Sequence, residues 1–298
     1  MLTKFLEKYK IGNGYIFREE FVRKRDIVLN RYKEIEKSIV KRYRRSIWRK
    51  FVRAINSYEL IEDGDKIGIC ISGSRDSFLL AKLMQELYRH RQINFEQNFI
   101  FLNLEYKDKD IRKIKENAQI MNIPIEIVEL EKEEEDKINE VQGDLYYKVL
   151  LEFLYSKARD LGCNKIAIGD QFDDVVEEIL IGILYNSQIK TIMPKVRSQS
   201  FEGMELIRPI FSIKKEDIVT WAEYNNLFFV DHKSSLDTDK SHKKEIKDLI
   251  AYLRSIDDSI DSRIFKSVEN VNLETIIAYK KAGKVHHFLD EYDRIEEE

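Results

Sequence analysis

The sequence predicts an α/β protein organised around a doubly wound parallel sheet. Three observations carry that prediction. Between residues 66 and 186, short apolar runs alternate with longer segments of helical period, the pattern of strands returned by crossover helices. The stretch Lys66-Ile-Gly-Ile-Cys-Ile-Ser-Gly-Ser-Arg-Asp-Ser77 passes from a strand through a Ser/Gly turn straight into a helical segment, Phe78 to Leu87. A second turn, Gly169-Asp-Gln-Phe-Asp-Asp174, stands in the same relation to the strand 165–168 and the helix after it. Ligands of open parallel sheets bind beyond the carboxyl ends of the strands, so the two turns are expected to face one cleft.

At 298 residues and 43% hydrophobic content the chain can form a large domain, with or without appendages, and is not disordered throughout. A net charge of −3 gives no global attraction to nucleic acid, and with 35% charged residues any partner surface must come from local segregation of sign. No apolar run approaches the ~18 residues of a spanning helix. The opening Met1-Leu-Thr-Lys-Phe-Leu-Glu7 lacks the apolar core of a secretion signal, so a cytoplasmic protein with no membrane partner is expected. Cys70, inside a predicted strand, and Cys163, just before another, read as core residues rather than a disulfide or a site.

The elements follow in order. Residues 1–30 form a polar lead around Gly12-Asn-Gly14 with no clear element. From Tyr32 to Tyr58 the period is helical, with Val40, Tyr43, Ile47, Phe51, Ala54 and Tyr58 on one face. Arg42, Arg45, Arg49 and Arg53 stripe the opposite face, flanked by Lys41, Arg44 and Lys50. Most charge runs are solvated helix faces, but seven basic residues between 41 and 53 with no acidic one exceed what solvation requires. They point to a nucleic-acid surface. Strands are expected at 66–72, 99–105, 125–130 and 165–168, and helices at 76–89, 111–121, 144–161 and 172–186. The acidic run Glu131 to Asp136 is expected to be a loop or a solvated helix start. Beyond Asn186, residues 193–196 and 204–210 look extended, with Pro209 ending the second piece. A helix over 214–226, a polar loop from Asp231 to Ser241 and two or three helices to about Lys281 complete the chain.

The chemistry of the first turn can be read residue by residue. The unpaired N–H groups and positive dipole end of a helix suit a phosphate. Ser72, Gly73, Ser74 and Ser77 keep the turn small and add hydroxyl donors. Asp76 repels a bare phosphate, so its presence implies a divalent metal between carboxylate and nucleotide. The plainer alternative is an ordinary βα turn capped by Ser72 or Ser74. The turn is neither a Walker A loop nor a dinucleotide turn. In the second turn, Asp173 and Asp174 at the helix start can simply complement its dipole.

The first turn resembles the Ser-Gly-Gly-x-Asp-Ser loop of the N-type ATP pyrophosphatases, the PP-loop superfamily. Those enzymes split ATP into AMP and pyrophosphate and use the AMP to activate a carbonyl oxygen. This chain departs from the loop at Ser74, in place of a Gly that matters if the position needs positive φ. Arg75 replaces a Lys, keeping the charge as a fork. Further segments resemble the tRNA 2-thiocytidine synthetase type within that superfamily: Tyr32 to Phe51, Leu154-Tyr-Ser-Lys-Ala158, Gly162 to Asp174, Met193-Pro-Lys195, Gly203-Met-Glu-Leu-Ile-Arg-Pro209 and Ile264 to Val271.

That family carries a Cys-x-x-Cys before its Leu-Tyr-Ser-Lys-Ala segment and a further downstream cysteine, which hold an iron–sulfur cluster. The equivalent positions here are Gly143 and Tyr146, and the downstream region Asp231 to Asp239 has no thiol. Gly and Tyr cannot replace thiolates, so no iron–sulfur cluster is expected. The family's Gly-His-His-x-Asp-Asp reads Gly169-Asp-Gln-Phe-Asp-Asp174, without either histidine.

The resemblance implies an adenine nucleotide alpha hydrolase-like sheet carrying a basic N-terminal helix and a helical C-terminal region. The expected division is an extension with the basic helix at 1–60, an ATP-binding domain at 61–212 and a helical region at 213–298. It implies ATP and Mg²⁺ as cofactors, tRNA as partner and a homodimer as a candidate assembly. Ser72, Gly73, Ser74, Arg75, Asp76, Ser77 and Gly169 would bind nucleotide, and Asp76 and Asp173 the metal. Asp76, Lys195 and Arg208 would be catalytic, the two cations acting on charge at the leaving group or the RNA phosphate. Arg42, Arg45, Arg49 and Arg53 would bind RNA. Two functions follow: adenylation of a tRNA base carbonyl, or a degenerate paralogue that binds nucleotide, RNA or a partner without turnover.

Overall fold

The computed structural model describes residues 31–103, 106–141, 144–230 and 240–292. The readings made for residues 1–30, for the last two residues of the 99–105 strand and for the loop at 231–239 fall outside them.

Six strands form the main sheet: β1 (Lys66–Ile71), β2 (Glu96–Asn103), β3 (Ile125–Glu129), β4 (Lys165–Ala167), β5 (Lys195–Arg197) and β6 (Glu205–Ile207). Their order is β3-β2-β1-β4-β6-β5, and every neighbouring pair is parallel except the antiparallel β5–β6 edge. The chain leaves β1 toward β2 and β3, then returns to place β4 on the other side of β1. The crevice of a doubly wound sheet therefore lies between β1 and β4. β1 is buried from Ile67 to Ile71 because helices cover both its faces, which is why it reads as an unbroken apolar run.

The helical segment at 31–57 precedes the sheet. It contains two π-helical stretches, Ser38–Arg42 and Arg44–Trp48, before α1 (Arg49–Ser57). Wider turns shift the inward face from the one an even α period predicts. Ile35, Ile39, Ile47, Phe51, Ala54 and Ile55 are buried, whereas Val40, Tyr43 and Tyr58 are only half-buried.

Next comes α2 (Arg75–His90), the helix opened by the first turn, with Phe78, Leu79, Leu80, Leu83 and Met84 buried. Its Lys82 side chain is 0% exposed and donates to Glu36 Oε1 at 2.6 Å, to Gln85 Oε1 at 2.7 Å and to the Met121 carbonyl at 2.9 Å. Arg89 closes on the same Glu36 carboxylate. Burial pushes the Glu36 carboxyl up, but the bonds from Arg89 and Lys82 outweigh it and hold the group below its ordinary range. This buried ion cluster pins the basic segment to the helix that begins at the candidate loop.

The remaining helices of the sheet region are α3 (Asp108–Met121), α4 (Lys132–Asn139), α5 (Asp144–Asp160), α6 (Phe172–Leu184) and α7 (Lys215–Tyr224). The acidic run is thus a helix rather than a loop. Glu131 caps it, and Glu134 completes a reciprocal capping box at the first turn. Two helices, α8 (Lys240–Ile256) and α9 (Ile260–Glu269), follow as expected but end at Glu269 rather than near Lys281, and a 3₁₀ turn, a hairpin and the short α10 (Leu289–Tyr292) come after them. The hairpin pairs β7 (Ala278–Lys281) with β8 (Lys284–His287). Ala282 and Gly283 have φ of 49° and 78°, and positive φ at both central residues makes a hairpin turn that matches strand twist.

The described residues group into two compact units. One holds those up to Asp174 together with 193–240, and the other holds Val175–Ile192 and those from Ser241 onward. The basic segment and α7 thus share a unit with the sheet. In the second unit the Tyr185 ring stacks on His242 with centroids 4.0 Å apart, and Lys247 pairs with Glu177. Among the described residues, no helix is long and apolar enough to cross a membrane.

Candidate active site

The first turn is built around Gly73. Its φ is +81°, and a Cβ there would lie 2.8 Å from Ile114 Cδ1. Both facts require glycine at this position. Ser74 has φ −72° and ψ 160°, an extended conformation open to any residue, and serves as N-cap of α2. The departure at Ser74 therefore carries no backbone strain. The residue instead supplies a capping oxygen that Gly would lack.

The hydroxyls knit the turn together. Ser77 N–H donates to Ser74 Oγ at 3.3 Å, Ser72 N–H to Ser77 Oγ at 3.2 Å, and Ser77 Oγ to the Ser74 carbonyl at 3.0 Å. Ser72 Oγ and Ser74 Oγ lie 2.9 Å apart. The first intrahelical bond runs from Phe78 N–H to the Ser74 carbonyl, so the amides before it stand at the helix mouth. Arg75 opens the helix and Tyr106 Oη donates to the Ser72 carbonyl at 2.9 Å, bracing the turn from the end of β2.

Asp76 lies in the first turn of α2, and its Oδ1 is buried without a hydrogen-bond partner among the described residues. Burial pushes its carboxyl up, Lys215 and Arg75 oppose that, and Asp170 adds to it. A buried carboxylate oxygen lacking a donor is a high-energy arrangement that a cation relieves. Asp76 has the chemistry of a carboxylate ligand for a hard divalent ion.

The second turn comes to the same place. A Cβ on Gly169 would lie 3.2 Å from Ser77 N and 3.3 Å from the Asp76 carbonyl carbon, so glycine permits the β4–α6 turn to press against the start of α2. Asp170 follows, its Oδ2 accepting from Arg208 Nε at 2.6 Å. Arg208, buried at the end of β6, also donates to the Met193 carbonyl at 2.8 Å and reaches Tyr147 Oη at 3.5 Å. Burial pushes the Tyr147 phenol up, keeping it protonated.

Two of the other expected residues are held by protein partners. Asp173 Oδ2 accepts from Lys215 N–H at 2.8 Å, so its carboxylate caps α7. Lys195 Nζ bonds Glu62 Oε1 at 2.8 Å and the Glu59 carbonyl at 2.8 Å, and lies 3.3 Å from Glu205 Oε2. With Lys165 and Asp65 these groups form an ion network at the amino ends of the strands, away from the first turn. Arg42, Arg45, Arg49 and Arg53 are all exposed, and the Arg42 guanidinium lies 4.4 Å from the centroid of the Tyr224 ring.

Both cysteines are buried. Burial pushes the Cys70 thiol up to about 12 and raises that of Cys163 as well. Two protonated core thiols do not fit an iron–sulfur cluster, and among the described residues no group of three or more His, Cys, Asp or Glu side chains is placed to hold a metal ion. Tyr146 is buried on α5, and Gly143 falls outside the described residues. Sequence reasoning left Asp170, Tyr106, Tyr147 and Lys215 out of the site. The first two lie three residues beyond the ends of strands β4 and β2, a position that the carboxyl-end rule marks. Tyr147 and Lys215 arrive on helices, and no local pattern signals them.

The PP-loop domain family matches residues 44–246 of this chain. The tRNA-cytidine(32) 2-sulfurtransferase of Vibrio parahaemolyticus is 28% identical over 239 residues, covering 78% of both chains. The tRNA-cytidine(32) 2-sulfurtransferase 1 of Francisella philomiragia is 29% identical over 226 residues, 74% of this chain and 87% of that one. Among solved structures, the U34-tRNA thiolase NcsA from Methanococcus maripaludis with its [4Fe-4S] cluster superimposes with a TM-score of 0.59. It covers 79% of this chain and 83% of NcsA at 19% identity, a likeness of fold.

Proposed function

This chain belongs to the PP-loop family, and from that premise we propose that it binds Mg-ATP on residues 72–77 and adenylates a carbonyl oxygen of a tRNA base. The observation that carries the reading is the orphaned Asp76 oxygen at the mouth of α2, beside the Gly73 turn. The base carbonyl oxygen attacks the α-phosphorus, the bond to the β-phosphate oxygen breaks, and pyrophosphate leaves. A nucleophile then displaces AMP together with that oxygen. The relatives are cytidine thiolases, so cytidine is the base class this reading favours.

Each residue has a bounded task. Ser72, Ser77 and the first-turn amides hold the pyrophosphate, with Arg75 adding charge. Asp76 holds the divalent cation, which supplies positive charge for the leaving group. Gly169 lets the second turn close on the first, and Arg208 positions Asp170 there. The exposed Arg42, Arg45, Arg49 and Arg53 meet RNA phosphates.

The test is radiolabelled ATP incubated with bulk tRNA. Release of pyrophosphate that depends on tRNA and is lost in Asp76→Ala supports adenylation. ATP and tRNA binding without release favours the second reading, a non-catalytic binding module. That alternative rests on the buried thiols, the missing histidines and the use of Asp173 as a cap. Sulfur transfer through a resident cluster would need thiolates that the chain's two buried cysteines do not offer, so protein prepared without oxygen is expected to lack visible iron–sulfur absorbance. Stoichiometric iron and sulfide would refute that.

A further inference from the structure

We propose that Tyr224 and Phe228 are a stacking track for unpaired RNA bases, leading from the arginine stripe to the Gly73 turn. The proposal rests on the tRNA reading above and names the surface that would carry it. Phe228 is 71% exposed and Tyr224 is 53% exposed. A single exposed ring is ordinary on a protein surface. These two stand four residues apart, at most about 14 Å along the chain, and each end of the pair is anchored to something functional.

At the first end, the Arg42 guanidinium lies 4.4 Å from the centroid of the Tyr224 ring, and Tyr43 Oη donates to the Thr220 carbonyl at 2.8 Å. The basic segment and α7 thus present cation and aromatic ring together. Lys50 neutralises Asp217 on the same helix at 3.4 Å. Asn226, with φ +45°, then turns the chain out of α7. Leu227 is buried, Phe228 points out, and Asn117 holds the Phe228 carbonyl at 2.9 Å. At the far end, Val230 N–H donates to the Gly73 carbonyl at 3.3 Å. Two residues span at most about 7 Å, so Phe228 lies within roughly 12 Å of the turn.

Aromatic rings interleaved with arginines recognise single-stranded nucleic acid, because every base has a face to stack and every phosphate a charge to meet. A paired duplex offers the phosphates without free base faces. The track therefore selects the unpaired loop of an RNA over its stem, and it directs the loop toward the ATP turn.

The experiment measures affinity of the full chain for an anticodon-arm hairpin RNA and for a fully paired RNA duplex of equal length, by fluorescence anisotropy at two salt concentrations. Phe228→Ala and Tyr224→Ala are expected to weaken hairpin binding about ten- to a hundredfold each. Duplex binding, the salt slope and Mg-ATP affinity should stay unchanged, and Phe228→Trp should retain wild-type affinity. Equal losses on hairpin and duplex, no loss on the hairpin, or a loss of ATP affinity without RNA would each overturn the track. No RNA binding by the wild-type chain would remove the tRNA reading itself, and the track with it.

Discussion

Replacing Gly73 by Ala tests the active-site geometry most directly. At φ +81° the methyl group faces a left-handed conformation that costs an L-residue roughly 1–2 kcal/mol. It would also sit 2.8 Å from Ile114 Cδ1 and 2.9 Å from Ile114 Cγ1, a branched core side chain with little room to yield. Overpacking of that kind costs about 1–3 kcal/mol. The narrowed unfolded ensemble offsets about 0.4–1 kcal/mol, leaving a net loss of roughly 1–5 kcal/mol. If the turn relaxes locally instead of unfolding the domain, the same energy appears as ATP affinity, about fivefold or more. Ser74→Gly makes the contrast, because φ is already −72° there and only the cap is lost. For a Gly at the cap that loss is a few tenths of a kcal/mol. Urea denaturation and Mg-ATP calorimetry on the three proteins read both outcomes. Tighter ATP binding by Ser74→Gly, with stability and affinity intact in Gly73→Ala, would refute the assignment of the glycine-only position to 73.

Other expectations follow from single groups. Glu36→Gln leaves the fully buried Lys82 without its carboxylate and is expected to destabilise the chain by about 3–5 kcal/mol in urea denaturation. Replacing both by Leu and Met should recover most of that loss, and failure to recover would show that the pair does more than neutralise itself. Because the Asp76 pKa is raised, its carboxylate protonates at a higher pH than an ordinary one. Mg-dependent ATP binding should therefore weaken on acidification, starting above the usual carboxylate range, and Asp76→Asn should flatten the profile. A wild-type profile flat through that range would speak against Asp76 as the metal ligand. Replacing Arg45, Arg49 and Arg53 by Glu should weaken tRNA binding and reduce its salt dependence, since fewer counterions are released. Unchanged affinity at two salt concentrations would return that face to a solvated one.

The strands and their helices were legible because burial on both faces of a parallel sheet leaves a local signature, unbroken apolar runs such as Ile67 to Ile71 between amphipathic segments. The first turn was legible for a similar reason, since Ser and Gly at a strand–helix junction mark a tight, capped turn. The hairpin at 278–287 was not legible, because Lys-rich strands exposed on one unit carry little alternation. Its turn depends on Ala282 adopting a left-handed conformation that nothing nearby in sequence demands. The π turns near 38–48 likewise shifted a face that an even helical period assigns to Val40 and Tyr43.

Within the site, the division follows the reach of the forces involved. Backbone amides, a capping hydroxyl and the Asp76 carboxylate act within one helical turn, so their identities and spacing were enough to place them. Which carboxylate faces the loop and which cation is already engaged depends on residues far apart in the chain. Asp173 caps α7 some forty residues later, Lys195 is held by Glu62 and Glu205, and Arg208 holds Asp170. A charged side chain settles where its desolvation is best compensated, and only the packed sheet sets out the partners among which that choice is made.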